Sequence, residues 1–80
     1  MLHVLVTSPE RVVCDCQARS VTLPGEKGTF EVLSLHRPLI TRLVEGIVEV
    51  DGKKLRIRRG AVRVADNEVI AVVETKGPAR

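Results

Sequence analysis

The chain has 80 residues, a net charge of +3 and a single aromatic residue, Phe30. This length fits one small domain whose core has to be built from Val, Leu, Ile and Ala. The charge is too small to indicate a nucleic-acid-binding surface by itself. No apolar run approaches the ~20 residues of a membrane span, and the N-terminus lacks the pattern of a signal peptide. We therefore expect the chain in the cytoplasm or at the cytoplasmic face of a membrane.

Short alternating segments, separated by Gly, Pro and Asp, follow one another along the chain. Asp51-Gly52 between two β-branched runs is a strong hairpin signal, and Pro24-Gly25, Arg59-Gly60 and Asp66-Asn67 mark further turns. No stretch of about 12 residues keeps an uninterrupted period of 3.6 residues, so no helix is predicted. Strands are predicted at 2–6, 12–16, 19–23, 29–33, 39–43, 46–50, 54–58, 61–64 and 69–73.

This spacing of strands and turns predicts an all-β fold, a flattened antiparallel β-sandwich of two sheets with about eight to ten short strands. The sandwich is expected to span residues 1–75, followed by a flexible tail at 76–80. Alternation predicts that Val12, Cys14 and Cys16 in one strand, and Leu55 and Ile57 in another, face the core. Most of the apolar residues around the His36 loop are also expected in the core, because apolar residues are more often buried than exposed. They are Leu33, Leu39, Ile40 and Leu43.

The thiols of Cys14 and Cys16 stand two residues apart. Positions i and i+2 on one face of a strand rarely have the geometry for a disulfide, and two thiols are too few for a structural zinc site. We therefore expect two reduced, metal-free, buried thiols that react slowly.

His36 and the basic run 53–59 are the other residues with chemical potential. No Ser-His-Asp arrangement, nucleophile elbow or Gly-rich phosphate loop accompanies His36, so no catalytic site, metal or cofactor is predicted. Alternation puts Lys54, Arg56 and Arg58 on one strand face, which fits either a solvated face or a phosphate-binding stripe. A small basic β-barrel that binds nucleic acid therefore stays as the alternative function, although bases usually stack on aromatic side chains, which are scarce here.

Five motifs stand in one order along the chain. They are Val6–Glu10, Ser20–Gly25, His36–Leu39, Arg59–Val64 and Ala65–Val69. In this order and spacing they resemble the N-terminal β-sandwich domain of the epsilon subunit of F-type ATP synthases. The resemblance covers residues 4–74, nearly the whole chain.

The resemblance implies a non-catalytic central-stalk subunit of a proton-translocating synthase, which couples the gamma subunit to the c-ring. It further implies no cofactor, a peripheral place at the cytoplasmic face of a bacterial inner membrane, and a monomer when isolated. Carried over residue by residue, Ser8, His36 and Pro38 face gamma, and Gly28 and Thr29 face the c-ring. Leu35 and Arg37 are added to the gamma-facing loop, because an exposed apolar residue in a loop often marks a docking surface. The resemblance places the whole turn of Pro24, Gly25, Glu26, Lys27, Gly28 and Thr29 at the c-ring.

The chain departs from the family pattern within these loops. Ser34-Leu35 replaces a Pro-Gly or similar pair, and Arg37 replaces a common Ala. The other departures are Cys16 for Gly, Thr29 for an acidic residue, Arg59 for the first of two glycines and Ala61 for an aromatic residue.

Most bacterial members of the family continue into a C-terminal helical hairpin. That hairpin carries the inhibition of ATP hydrolysis and, in some members, nucleotide binding. Because this sequence ends at Arg80, we expect neither function of it.

Overall fold

The computed structural model describes residues 1–75, which form eight strands joined by turns. Within these residues there is no helix, and so none that is long and apolar enough to cross a bilayer. The tail predicted at 76–80 lies outside the described residues. The strands are β1 (Leu2–Thr7), β2 (Val12–Ala18), β3 (Val21–Gly25), β4 (Gly28–Val32), β5 (Leu39–Leu43), β6 (Gly46–Val50), β7 (Lys53–Ala65) and β8 (Glu68–Thr75).

Strand β7 organises the sandwich because it is 13 residues long and takes part in both layers. Its first residues pair with β6, its later residues pair with β5, and β8 lies along its other edge. The hydrogen-bonded order is β2-β1-β8-β7-β5-β3-β4, with β6 pairing both β3 and β7. Hydrogen bonds thus join all eight strands into one continuous sheet that folds over its own core. The pairs are antiparallel except β1 with β8, which is parallel.

The turn predicted at Arg59-Gly60 is wrong. Strand β7 continues without interruption through these residues. Only its register against β8 shifts, between Ile57 and Arg59. Such an irregularity bends a strand and increases its twist without ending it. One bent strand therefore replaces the two predicted at 54–58 and 61–64.

One aliphatic core fills the interior and draws residues from β1 to β8. No polar or charged residue among those described is buried, in line with the general preference of these residue types for the surface. Ile57 is buried and Leu55 is half-buried, as predicted. The fully covered members with the largest side chains are Leu2, Leu23, Ile57, Val4, Val6, Val21, Val32, Val48, Val62, Val64, Val69 and Val73.

Three of the predicted inward side chains face solvent instead. Val12 is 57% exposed, because Val6 pairs with Cys14 while Thr7 pairs with Val12, and the resulting bulge reverses the alternation at that end of β2. Leu33 follows the last residue of β4 and is exposed, and Ile40 lies on the outer face of β5, opposite Arg63. Cys14 and Cys16 point inward but are only half-buried.

The hairpin between β6 and β7 is tied to the rest of the domain by Asp51. Its φ of 47° and the φ of 88° at Gly52 are those of a tight hairpin turn. The Asp51 carboxylate accepts the N–H groups of Arg19 and Ser20 at 3.0 Å. These hydrogen bonds lower the pKa of Asp51 below its ordinary value. The turn therefore fixes the connection between β2 and β3.

Candidate partner-binding surfaces

The loop around His36 is built on a tight turn from Leu33 to His36. The His36 N–H donates to the Leu33 carbonyl at 3.2 Å, and Leu35 has a φ of 68°. A positive φ at the third position of a turn is characteristic of type II, where Gly is usual. Leu35 is nevertheless 85% exposed, the highest value among the large apolar side chains of residues 1–75. A large apolar side chain thus meets solvent where the backbone favours Gly.

This loop is held in place by the neighbouring turn between β7 and β8. The Leu35 N–H donates to the Asn67 side-chain oxygen at 2.6 Å. Asn67 in turn accepts the His3 N–H on its backbone carbonyl at 2.9 Å. His36 Nδ1 lies 2.7 Å from the Arg37 carbonyl oxygen, a contact that needs the proton on Nδ1. The loop is therefore partly ordered before any partner arrives, which lowers the cost of association.

The predicted ring-facing turn divides into a buried base and an exposed tip. Pro24 and Gly25 are buried within β3, and a β-carbon on Gly25 would lie 2.8 Å from the Phe30 ring. These two residues shape the hairpin and offer little surface to a partner. Its exposed tip consists of Glu26, Lys27, Gly28 and Thr29.

The structure brings His36 and the predicted ring-facing turn into one groove. The groove has a volume of about 330 Å³, and His36 and the segment Gly25–Phe30 both line it, together with Leu39 and Thr41. Arg37 and Pro38 are exposed. The two predicted surfaces are therefore neighbours on the molecule.

Ser8 lies apart from this groove. It follows the last residue of β1, whereas His3, near the first residue, contacts the Asn67 turn. Five residues of strand at ~3.3 Å each separate the two ends by about 16 Å. The Ser8 hydroxyl accepts the N–H groups of Glu10 and Arg11 within its own turn. Its first role is thus to shape the connection between β1 and β2.

Sequence reasoning missed an apolar row on the outer face of the sheet. Ile40, Arg63, Ile70 and Leu5 stand side by side on β5, β7, β8 and β1. Ile40 is 77% exposed, and Ile70 and Leu5 are half-buried. The uninterrupted apolar run 69–73 in β8 could have revealed this face, since strands covered on both faces lack alternation. We call these four residues the outer row.

A histidine flanked by two carboxylates lies beside the outer row. His3 Nε2 is 2.7 Å from Asp15 and Nδ1 is 3.5 Å from Glu68. The hydrogen bond to Asp15 and the weaker one to Glu68 raise the pKa of His3. All three side chains are about half exposed, so this cluster adds a local charge pattern rather than stability.

The basic strand face looks like a solvated surface. Lys54, Arg56 and Arg58 are exposed as predicted, but Lys54 stands opposite Glu49 across the hairpin. Phe30 is half-buried and packs against the core and over Gly25, so part of its ring is already covered. This arrangement weighs against the nucleic-acid alternative.

Comparison with known proteins identifies the family. The sequence profile described as "ATP synthase, Delta/Epsilon chain, beta-sandwich domain" matches residues 1–78. The chain belongs to this family. Among its relatives, the ATP synthase epsilon chain of Nitratiruptor sp. is 38% identical over 96% of this chain and 64% of its own length. The corresponding chain of Sulfurimonas denitrificans is 37% identical over 91% of this chain and 60% of its own length.

Two solved structures contain chains that share the fold of this chain. A chain in the central stalk and c-ring structure of the Tetrahymena thermophila mitochondrial ATP synthase matches with a TM-score of 0.78 at 13% identity, covering 91% of this chain and 63% of that one. A chain of the Euglena gracilis mitochondrial enzyme matches with a TM-score of 0.80 at 24% identity, covering 90% of this chain and 49% of that one. This chain thus spans less than two thirds of the length of these relatives.

Proposed function

We propose that this chain is a non-catalytic central-stalk subunit of a proton-translocating F-type ATP synthase, coupling the gamma subunit to the c-ring. The observation that carries the proposal is the family match along residues 1–78, together with relatives named ATP synthase epsilon chain. In this role the chain has no activity or cofactor of its own. It sits peripherally at the cytoplasmic face of the inner membrane and is a monomer when isolated.

The gamma-facing surface of this proposal is the Leu35 loop together with the outer row. Leu35 and Ile40 are the exposed apolar residues of the two parts, and the backbone of the loop is held by the Asn67 side chain. Arg37 and Arg63 add positive charge to the two parts. Apolar groups surrounded by charge are typical of a protein interface, in which the apolar groups supply most of the affinity. Ser8, at the far end of β1, belongs to the edge of this surface.

The ring-facing surface is the exposed tip of the hairpin between β3 and β4. Glu26 and Lys27 offer one charge of each sign there, and Gly28 has a φ of 124°. The tip stands on the buried Pro24-Gly25 base, which holds it rigidly. A partner that pushes on this tip therefore moves the whole sandwich.

Torque transfer requires a body that does not deform between its two contacts. The core of this domain is a single cluster of Val, Leu, Ile and Ala residues that draws on every strand. Close-packed interiors have low compressibility and transmit strain. The sandwich can therefore work as a clamp between gamma and the ring without any chemical step of its own.

The test is binding of the full chain to purified gamma subunit from the same organism. We expect Leu35→Ala and Ile40→Ala each to weaken binding by about 1–3 kcal/mol, as for residues at the centre of an interface. Ile47→Ala is the matched control, because Ile47 is an exposed isoleucine on β6 and outside this surface. Thermal unfolding checks that the three variants are equally folded. If both Leu35→Ala and Ile40→Ala bind gamma with wild-type affinity, this surface is not the gamma-binding site.

The assignment to the synthase itself is tested separately. The tagged chain, expressed in its own organism, should co-purify with the gamma subunit and with the c-ring. Retention on phosphocellulose with a steep salt dependence, and no synthase subunits in the eluate, would favour the nucleic-acid alternative instead.

A further inference from the structure

Cys14 and Cys16 form a dithiol pair that the proposed function does not use. They stand two residues apart on β2, opposite Val6 and Val4 of β1. Their Sγ atoms are 3.4 Å apart, and neither thiol is in a disulfide. Strand β2 pairs only with β1, so the pair lies at the edge of the sheet. Both sulfurs thus point to the same side from a fixed backbone.

An open cleft of about 510 Å³ lies against this pair. Val48, Val50 and Leu55 supply an apolar wall, and Lys53 and Lys54 also line the cleft. Because Cys14 and Cys16 are only half-buried, a small ligand in the cleft can reach both sulfurs. The expected picture of two fully enclosed thiols is therefore wrong.

The spacing of the two sulfurs suits one ion bound by both of them. At a metal–sulfur distance of ~2.3 Å, a separation of 3.4 Å corresponds to an S–metal–S angle of about 95°. A trigonal angle needs the sulfurs ~4.0 Å apart at the same bond length, which small side-chain rotations provide. A disulfide instead requires an S–S distance of about 2.05 Å. In an extended strand, the Cα atoms of residues two positions apart lie near the upper limit of the Cα–Cα distances found in disulfides.

The donor set points to a soft ion with a low coordination number. No group of three or more His, Cys, Asp or Glu side chains within residues 1–75 could hold a metal ion, so a closed four-ligand zinc site is excluded there. Thiolates prefer soft ions, and Cu(I) accepts a few such ligands. A third ligand, such as a free thiol or water, can enter from the cleft.

We propose that Cys14 and Cys16 together form a bidentate dithiolate site for a soft thiophilic ion, with Cu(I) as the representative of this class. Binding converts the two thiols and Cu(I) into a complex with one net negative charge and releases two protons. Lys53 and Lys54 line the same cleft, so positive charge stands near the anionic complex. No oxidant or reductant takes part in the step.

The stoichiometry of binding makes it depend on pH. Each Cu(I) displaces two thiol protons, so the affinity for Cu(I) should rise as the pH rises.

The experiment is an anaerobic titration of the full, reduced chain with Cu(I) in competition with a chromogenic Cu(I) chelator. We expect one Cu(I) per chain and two protons released per ion. Loss of an outer-sphere partner alone costs a metal site about 10–100-fold in affinity, so Cys14→Ser and Cys16→Ser should each cost at least about 100-fold. Val12→Ser, an exposed position on the same strand, should bind as the wild type does.

A second measurement does not depend on the folding of the serine variants. Phenylarsine oxide bridges two thiols with loss of one water, so the treated wild-type chain should carry one arsenical and lose its Cu(I) site. Thermal unfolding of treated and untreated protein confirms that the domain remains folded. The proposal is overturned if Cu(I) binding survives in the double serine variant or after the arsenical has bound. It is equally overturned if either single variant keeps wild-type affinity.

Discussion

Leu35 combines two properties that rarely coincide, an unfavourable backbone conformation and a solvent-exposed apolar side chain. A left-handed conformation costs a residue with a β-carbon roughly 1–2 kcal/mol, and the φ of 68° places Leu35 there. The energy of folding gives no reason for leucine at this position. A contact with a partner does, since the Leu35 side chain is presented by the loop and touches little of its own domain.

We expect Leu35→Gly to stabilise the isolated domain and to weaken its binding to gamma. Relief of the backbone strain exceeds the added chain entropy of Gly, which is about 0.5–1 kcal/mol, so the net gain should be up to about 1 kcal/mol. Urea unfolding measures the first effect and a pull-down of gamma the second. Leu35→Asn is the control, because Asn tolerates a positive φ but offers no apolar contact. Opposite signs of the two effects are essential, and a destabilised Gly variant would contradict the strain argument.

The Asp51 carboxylate should make the stability of the domain depend on acid pH. Its pKa is lower in the folded state than in the unfolded chain, so it stabilises the fold above about pH 4, the ordinary value. That contribution disappears as the pH falls through the folded pKa. Asp51→Asn should therefore lower the Tm at pH 7, and its difference from the wild type should vanish in strong acid.

Thermal unfolding of both proteins at several pH values is the measurement. The control is Asp66→Asn. Asp66 and Asn67 are consecutive turn residues with positive φ, as Asp51 and Gly52 are, and Asp66 is the first of its pair. A Tm difference for Asp51→Asn that stays constant down to strong acid would show that the hydrogen bonds to Arg19 and Ser20 are not its cause.

At the scale of elements, the pairing of β7 with β8 requires a glycine at position 60, where the two strands approach closely. A β-carbon on Gly60 would lie 2.5 Å from the Val72 carbonyl oxygen and 3.1 Å from the Val73 α-carbon, both of them backbone atoms. We expect Gly60→Ala to cost about 1–3 kcal/mol, as overpacking commonly does. The urea midpoint should fall, whereas Arg58→Ala, an exposed change in the same strand, should alter it little. Similar midpoints for the two variants would mean that β8 shifts freely.

The same strand shows what sequence patterns can and cannot predict. Hairpin signals placed β6 and the start of β7 correctly, because the Asp51-Gly52 turn is a local property of two residues. Arg59-Gly60 was read as a turn since Gly usually interrupts a strand. Here Gly60 is required because β8 approaches it closely. This is a contact between residues far apart in the sequence, which a local pattern cannot reveal. Likewise, the bulge that exposes Val12 depends on pairing with β1.

The surfaces follow the same rule. The Leu35 loop was predicted from its own residues and the family resemblance, and its exposure agrees. The outer row could not be assembled from the sequence alone, because its four members come from four strands. Ile40 was assigned to the core since an apolar residue in a strand is more often buried than exposed.

At the scale of the whole molecule, stability rests on a few aliphatic residues. A domain of this size has a free energy of unfolding of roughly 4–12 kcal/mol, and replacing a buried leucine by alanine costs about 2–5 kcal/mol. Leu23 is fully buried whereas Leu33 is 52% exposed. We expect Leu23→Ala to remove much of the stability and Leu33→Ala to change it by less than about 0.5 kcal/mol. Urea unfolding of both variants measures this, and equal losses would return Leu33 to the core.

The parallel pairing of β1 with β8 has a consequence for how the domain is made. His3 pairs with Glu68 and Thr7 with Val72, so the first of the eight strands cannot pair with β8 until the last strand has been synthesised. At a synthesis rate of about 5–20 residues per second, β1 leaves the ribosome seconds before its partner. Contacts between residues so distant in sequence make folding slow. Until β8 emerges, the aliphatic face of the β1–β2 hairpin is available to other nascent chains, so aggregation competes with folding during this interval.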